Sequence, residues 1–171
     1  MSDNDLNLDR PLTCADVMVD PEHQLRIHRD ENIATAFSII REKRSRFLPV
    51  INDDGSYVGV FSAPTLLKLI LPRAVTIDMV RDNSRLHLSH LQFMRLTRAD
   101  FHAQLDHLKN EKVSDHLSNP DNIPVAAPDT PVMEGIFMIY KFKRHLMLVD
   151  PDNQQFVGSV SPNSLLANVL G

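Results

Sequence analysis

Hydrophobic and polar positions follow the same order twice along this chain of 171 residues. In the first stretch, a short alternating segment at 25–28 precedes apolar residues at helical spacing over 33–40. Two apolar segments at 47–52 and 57–61 then flank an acidic, glycine-containing turn, which is typical of a β-hairpin. A short apolar helix follows at 66–71, before a proline. The pattern predicts strand, helix, strand, strand, helix.

The second stretch predicts the same elements in the same order. Its strands are predicted at 124–127, 146–149 and 156–160. The first helix of each stretch follows an aspartate, Asp30 in one and Asp129 in the other. Because aspartate is a preferred N-cap, both are predicted to cap these helices.

The two stretches are copies of one unit. An offset of 99 residues aligns 21–67 with 120–166 without a gap and makes ten positions identical. The identical pairs are Pro21/Pro120, Asp30/Asp129, Ile40/Ile139, Val50/Val149, Asp53/Asp152, Val58/Val157, Gly59/Gly158, Ser62/Ser161, Leu66/Leu165 and Leu67/Leu166. One such unit cannot bury its own apolar face, so two copies are expected to stack. The predicted fold class is α+β, with two β-α-β-β-α repeats packed as one pseudo-two-fold module.

The domain organisation follows from the duplication. We expect a polar tail at 1–14, repeat one at 15–71, an insertion at 72–111 and repeat two at 112–171. Within the insertion, Thr97-Arg98-Ala99-Asp100 resembles a helix start, and it predicts a helix near 98–110. Residues 84–96 mix helical and alternating spacing, so strand and helix both stay open there.

Charge and composition exclude some partners. The net charge of −4 and the pI near 6.0 give no electrostatic basis for coating nucleic acid or an anionic membrane. We expect neither a secretion signal nor a membrane-spanning segment. The single cysteine, Cys14, precludes an internal disulfide and fits a reducing compartment. We expect a cytoplasmic protein.

The first hairpin carries a family resemblance. The segments Phe-Leu-Pro-Val-Ile-Asn-Asp-Asp-Gly at 47–55 and Tyr-Val-Gly-Val-Phe-Ser at 57–62 resemble the hairpin of a cystathionine-beta-synthase (CBS) domain. The second copy resembles it more loosely, and the likeness covers about residues 15–71 and 112–170. It identifies the chain as similar to a stand-alone tandem CBS pair. The resemblance implies a non-catalytic sensor that binds AMP, ADP, ATP or S-adenosylmethionine in the cleft between the repeats. It also implies a homodimer that regulates a protein partner, and the identity of that partner stays unknown.

The predicted ligand residues begin at the turn from the last strand into the last helix of each repeat. Ser62 and Ser161 stand at this turn, where a hydroxyl and backbone amides can contact ribose or phosphate. The alternative is that each serine is only an N-cap. The family places a ribose-binding aspartate three residues later, where this chain has Thr65 and Ser164. A hydroxyl there lacks the charge-assisted bonding of a carboxylate.

Two further pairs of residues complete the predicted ligand set. Arg46 and His145 come immediately before the middle strands and are candidates for phosphate contacts. The alternative is that the basic clusters around them complement helix C-termini. Ile27 and Ala126, on the first strands, could flank an adenine ring or belong to the core.

Catalysis and metal binding are not expected. No nucleophile with a base, no paired carboxylates and no phosphate-binding glycine loop occurs at a convincing spacing. Five histidines lie in or just beyond the insertion, His87, His90, His102, His107 and His116, without the spacing of a metal motif. No cofactor is required by the sequence. The alternative to a sensor is a ligand-free CBS scaffold that acts through dimerisation or other protein contacts.

Overall fold

The computed structural model describes residues 8–71 and 96–170. The first seven residues of the predicted tail and the segment 72–95 lie outside the described residues. The undecided segment 84–96 therefore falls almost entirely outside them.

The first repeat forms a three-stranded sheet and two helices. Its elements are β1 (Ile27–His28), α1 (Ile33–Lys43), β2 (Phe47–Ile51), β3 (Tyr57–Ser62) and α2 (Ala63–Ile70). The strands lie in the order β1-β2-β3. The predicted order of elements is confirmed, and the buried centre of β2, from Leu48 to Val50, explains its continuous apolar sequence.

The second repeat has the same architecture. Helix α3 (Arg98–Leu108) precedes it, capped by Thr97, and β4 (Val125–Ala126), α4 (Val132–Phe142), β5 (Leu146–Val149), β6 (Phe156–Val160) and α5 (Pro162–Leu170) follow. β4 pairs with β5 in parallel, and β5 pairs with β6 antiparallel. The fold is therefore α+β, with two β-α-β-β-α repeats separated by a partly helical insertion.

Both predicted caps of the first helices are wrong. In α1 the cap is Asn32, whose side chain accepts a hydrogen bond from the Thr35 amide at 2.8 Å. In α4 the residue before the helix is Pro131, which makes no side-chain cap bond. A cap must reach an amide two or three residues into the helix. Asp30 and Asp129 lie too far ahead of helices that begin at Ile33 and Val132.

The duplication extends to the ends of the first helices. Arg44 and Lys143, 99 positions apart, both adopt left-handed backbone conformations, with φ of 51° and 56°. Each donates its amide to a carbonyl four residues earlier, that of Ile40 or Ile139. Equivalent positions therefore end the two helices in the same way.

The chain divides into two compact units, and the segment that precedes each repeat belongs to the unit of the other repeat. The first-repeat unit contains Ile27–Val50 and the described residues of Val58–Ser118. The second-repeat unit contains the described residues up to Arg26, the hairpin tip Ile51–Tyr57 and the described residues from Asn119 onward. We call residues 13–19 and 112–118 the leader segments. Each leader belongs to the unit of the repeat that it does not immediately precede. The predicted domain boundaries stay predictions.

Equivalent hydrogen bonds hold the two leaders. In the second-repeat unit, the Cys14 amide donates to Thr130 O at 2.8 Å and the Val19 amide to Ser159 O at 2.8 Å. The corresponding bonds of the first-repeat unit run from Val113 to Glu31 O and from Ser118 to Val60 O, both also 2.8 Å. Cys14, Val17 and Val113 are buried. The leaders are therefore part of the cores.

Gly59 and Gly158, which the duplication leaves unchanged, face the leaders. A Cβ on Gly59 would lie 3.1 Å from a methyl of Leu117, and one on Gly158 would lie 3.1 Å from Met18 Sδ. Leu117 and Met18 are themselves equivalent residues, 99 apart. The glycines therefore leave room for the leader side chains.

Candidate functional site

The strand-to-helix turn of the first repeat contains a row of hydroxyl groups. Ser62 is buried, 5% exposed, and caps α2 by accepting the Thr65 amide at 3.4 Å. Its Oγ accepts a hydrogen bond from Ser118 Oγ at 3.2 Å and lies 3.0 Å from Thr65 Oγ1. The turn therefore aligns three hydroxyls, from the leader through the cap to the first turn of the helix.

This row can present a donor at Thr65. A hydroxyl has one hydrogen to donate and lone pairs that accept. Ser118 gives its hydrogen to Ser62, so Ser62 can give its own to Thr65. The hydrogen of Thr65 is then available at a half-buried position. A ribose hydroxyl or a phosphate oxygen could accept it.

The corresponding turn of the second repeat uses its hydroxyls differently. Ser161 and Ser164 cap each other, since the Ser164 amide donates to Ser161 Oγ at 2.9 Å and the Ser161 amide to Ser164 Oγ at 3.0 Å. The Ser164 hydroxyl donates to the carbonyl of Val17, in the leader, at 2.8 Å. The one hydroxyl hydrogen of Ser164 is therefore used in a hydrogen bond within the protein. Thr65 and Ser164 occupy equivalent positions in the two repeats, but their hydroxyls make different hydrogen bonds.

Of the two predicted phosphate residues, Arg46 is bonded through its backbone to the turn of its repeat. The Arg46 carbonyl accepts the Ala63 amide at 2.7 Å, so the backbone of Arg46 is tied to the start of α2, and its side chain is exposed. His145 is half-buried before β5, and Pro162 stands where the first repeat has Ala63. Because proline has no amide hydrogen, the second turn cannot make the same bond.

The helix N-termini offer few amides to a phosphate. Pro64 in α2 and Pro162 in α5 remove one donor each, and the Ala63 amide is bonded to Arg46 O. Phosphate recognition at these turns would therefore rest on side chains such as Arg46 more than on the helix terminus.

The two predicted adenine-flanking residues occupy core positions. Ile27 is 4% exposed. Ala126 pairs with Leu148 across the parallel strands and packs against the cluster of Cys14, Val17, Leu146, Leu148 and Val160. This burial favours the core role that the sequence left open.

Sequence reasoning did not find the leader residues of the turns, Ser118 and Val17. Both act on the turn hydroxyls, one as a donor to Ser62 and one as an acceptor from Ser164. Extending the offset of 99 to the leaders would have shown that 13–19 and 112–118 correspond.

Other site chemistry is limited over the described residues. Across 8–71 and 96–170, no three His, Cys, Asp or Glu side chains converge to hold a metal ion. His87 and His90 lie outside this part of the chain, so the absence of a metal site stays a prediction. No helix in the same ranges has the length and apolarity to cross a bilayer.

Comparison with known proteins gives a family for part of the chain. Residues 14–72 match the CBS domain. Comparison with the curated proteins finds no match.

Solved structures match the fold of nearly the whole chain. A CBS domain-containing protein of unknown function from Kribbella flavida aligns with a TM-score of 0.68 at 20% identity, over 94% of this chain and 99% of that chain. CBSX2 from Arabidopsis thaliana aligns at 0.64 and 20% identity, over 94% and 96%. CBSX2 in complex with AMP aligns at 0.62 and 21% identity, over 92% and 96%. At these identities the likeness shows the fold.

Proposed function

Residues 14–72 match the CBS domain and nearly the whole chain has the fold of CBS-domain-containing proteins, and from this premise we propose that the chain is a non-catalytic regulatory module for an adenosyl ligand. The ligand class is AMP, ADP, ATP or S-adenosylmethionine. A related fold, that of CBSX2, has been solved with AMP bound. The proposal includes a homodimer and a cytoplasmic location.

The hydroxyl row of the first repeat carries the proposal. Ser118, Ser62 and Thr65 are linked at 3.2 and 3.0 Å, and Arg46 is tied to the same turn through the Ala63 amide. A hydroxyl donor on a turn bonded to the backbone of an exposed arginine suits a ribose and a phosphate on one ligand. We therefore assign the stronger ligand contacts to the first-repeat turn, and weaker ones to Ser161 and His145.

The alternative is a ligand-free scaffold, and one observation favours it. The Ser164 hydroxyl is committed to Val17 O at 2.8 Å, so the second turn resembles a structural cap. If the first turn were also only a cap, the module would act through protein contacts alone.

Thermal melts against AMP, ADP, ATP, S-adenosylmethionine and NAD test the proposal. A ligand that binds the native state stabilises it by about 2.7 kcal/mol at a hundred times its Kd, so at least one adenosyl compound should raise the Tm with saturation. Ser62→Ala should reduce that rise, because it breaks the hydroxyl row.

Two exposed basic residues provide a matched control. Arg46→Ala should reduce the rise for the phosphorylated ligands, whereas Lys43→Ala, three residues away on the same chain segment, should leave it intact. Flat melts with every compound at millimolar concentration would favour the scaffold instead.

A further inference from the structure

His116, in the leader of the first-repeat unit, has a ring nitrogen without a hydrogen-bond partner. Its side chain is 22% exposed, but the Nε2 atom is buried and makes no hydrogen bond to any described residue. The Glu111 carboxylate lies close by, with Oε1 3.4 Å from this nitrogen. A buried polar atom that lacks a partner costs free energy. A neutral imidazole therefore leaves Nε2 unsatisfied, next to an acid that would pair with a charged one.

The backbone of Glu111 is held by two helices. Its amide donates to Leu108 O at the end of α3, and its carbonyl accepts the Ile33 amide at the start of α1, both at 3.1 Å. Glu111 directly precedes the leader 112–118. A side chain that pairs with the Glu111 carboxylate is therefore fixed relative to both helices.

The leader connects His116 to the hydroxyl row. His116 ends a short 3-10 helix, Val113–His116. Two residues later, the Ser118 amide donates to Val60 O at 2.8 Å and the Ser118 hydroxyl donates to Ser62 Oγ at 3.2 Å. Leu117, between them, lies against Gly59. Because only one residue separates His116 from Ser118, the position of the imidazole constrains the first donor of the row.

The second-repeat unit has neither the pair nor the row. At the offset of 99, Val17 corresponds to His116 and Leu12 corresponds to Glu111. Val19 corresponds to Ser118, so that leader has no hydroxyl to donate to its turn. The histidine and the acid therefore occur in the same repeat as the open hydroxyl row.

The other charged groups on the elements next to this leader do not replace Glu111. Lys112 pairs with Asp30 at 3.4 Å, and Lys109, at the end of α3, pairs with Asp106 at 2.9 Å. β3, which accepts the Ser118 amide, has no charged residue. Glu111 is the one acid found in an ion-pair contact with His116 over the described residues. The remaining titratable groups on these elements are Arg29, Glu31, His107 and Asp115.

We propose that His116 is a positioning residue for the first-repeat turn, and that its protonated imidazole, paired with Glu111, holds the leader and the Ser118 donor in place. The inference rests on the proposed function and names a regulation of that site by pH. A protonated imidazole carries a hydrogen on both nitrogens, so Nε2 gains a charge-assisted contact. Histidine is largely protonated at pH 6 and neutral at pH 8. The stabilisation is therefore present at pH 6 and lost as the pH rises toward 8, and ligand binding weakens with it.

Urea unfolding without ligand at pH 6 and pH 8 tests the pair. Glutamine keeps a polar amide but carries no charge, so His116→Gln and Glu111→Gln should each lower the urea midpoint more at pH 6 than at pH 8. His23→Gln is the matched control, because His23 lies 3.9 Å from Asp20 with both side chains 75% exposed. It should change the midpoint equally at both pH values. A loss for His116→Gln that is the same at pH 6 and pH 8 would overturn the pair.

Calorimetric titration with AMP at the same two pH values tests the coupling to the turn. From pH 6 to pH 8 the Kd of the wild type and of His23→Gln should rise about threefold more than that of His116→Gln or Glu111→Gln. Protonation of the AMP phosphate affects every variant alike, so the comparison isolates the pair. Ser118→Ala, which removes the donor, should abolish the extra rise.

The outcomes separate this inference from the proposed function. A wild type and a His116→Gln variant with the same change in Kd would overturn the coupling, although AMP binds. A wild type that binds no AMP at either pH would contradict the sensor and the coupling together, while the urea comparison still decides whether His116 and Glu111 hold the leader.

Discussion

At the scale of single residues, equivalent positions of the duplication make different hydrogen bonds. Asp16 and Asp115 occupy the same place in the two leaders, 99 residues apart. Asp16 accepts hydrogen bonds from Arg10 and from the Thr13 amide, both at 2.8 Å. The Arg10 guanidinium, and then the Thr13 amide, lower the pKa of Asp16 from 3.8 to about 2. The second leader starts at Lys112, which makes no side-chain cap.

Asp16→Asn should therefore cost stability that Asp115→Asn does not. We expect a loss of about 1 kcal/mol at neutral pH, allowing for solvent screening. Because the folded-state pKa is lowered, the stabilisation is present above the ordinary pKa near 3.8 and disappears as the pH falls toward 2. Urea midpoints at pH 7, 5 and 3 measure this, and the gap between wild type and Asp16→Asn should shrink at the lowest pH. A constant gap, or an equal loss for Asp115→Asn, would contradict the assignment.

At the scale of elements, the sequence predicted the strands and helices but not their caps or their partners. Strands at 146–149 and 156–160 are found at the predicted positions, because a buried strand requires a compact apolar segment. The predicted caps Asp30 and Asp129 were wrong because each helix begins three residues after the aspartate, at Ile33 or Val132. No local pattern reveals that a leader packs on the other repeat, since that choice depends on the tertiary fold.

The turn serines provide a prediction at the same scale. Ser164→Ala removes the bond to the buried Val17 carbonyl and one half of a reciprocal cap, so it should lower the free energy of unfolding by about 1–2 kcal/mol. Thr65→Ala removes a hydroxyl that bonds only to Ser62 among the contacts found in the turn, and it should cost less. Urea denaturation without ligand compares the two. An equal or larger loss for Thr65→Ala would show that both turns are structural caps.

At the scale of the whole molecule, the duplication predicted the fold class, and the departures from symmetry carry the functional proposals. The insertion helix α3 packs against α1 and α2 of the first repeat, whereas Met133, Phe137 and Tyr140 on α4 are exposed. The leader 112–118 donates to the first turn through Ser118, whereas the leader 13–19 accepts from the second turn through Val17. An alignment of the repeats detects the substitutions, but only the packing shows that the Ser164 hydroxyl donates to a backbone carbonyl while the Thr65 hydroxyl bonds to Ser62.

The proposed ligand site predicts a gain of function. The CBS resemblance implies an aspartate at Thr65 and Ser164, and a carboxylate accepts charge-assisted bonds worth more than those of a hydroxyl. Thr65→Asp should therefore strengthen ribose binding by about tenfold. Ser164→Asp should not, because a carboxylate cannot donate to Val17 O and would face that carbonyl.

Calorimetric titration of the wild type and these two variants with AMP is the most direct test. The account predicts saturable binding by the wild type, tighter binding by Thr65→Asp and no gain for Ser164→Asp. If neither the wild type nor Thr65→Asp binds AMP, ATP or S-adenosylmethionine at millimolar concentration, the hydroxyl row of the first repeat is only a helix cap and the sensor proposal is wrong.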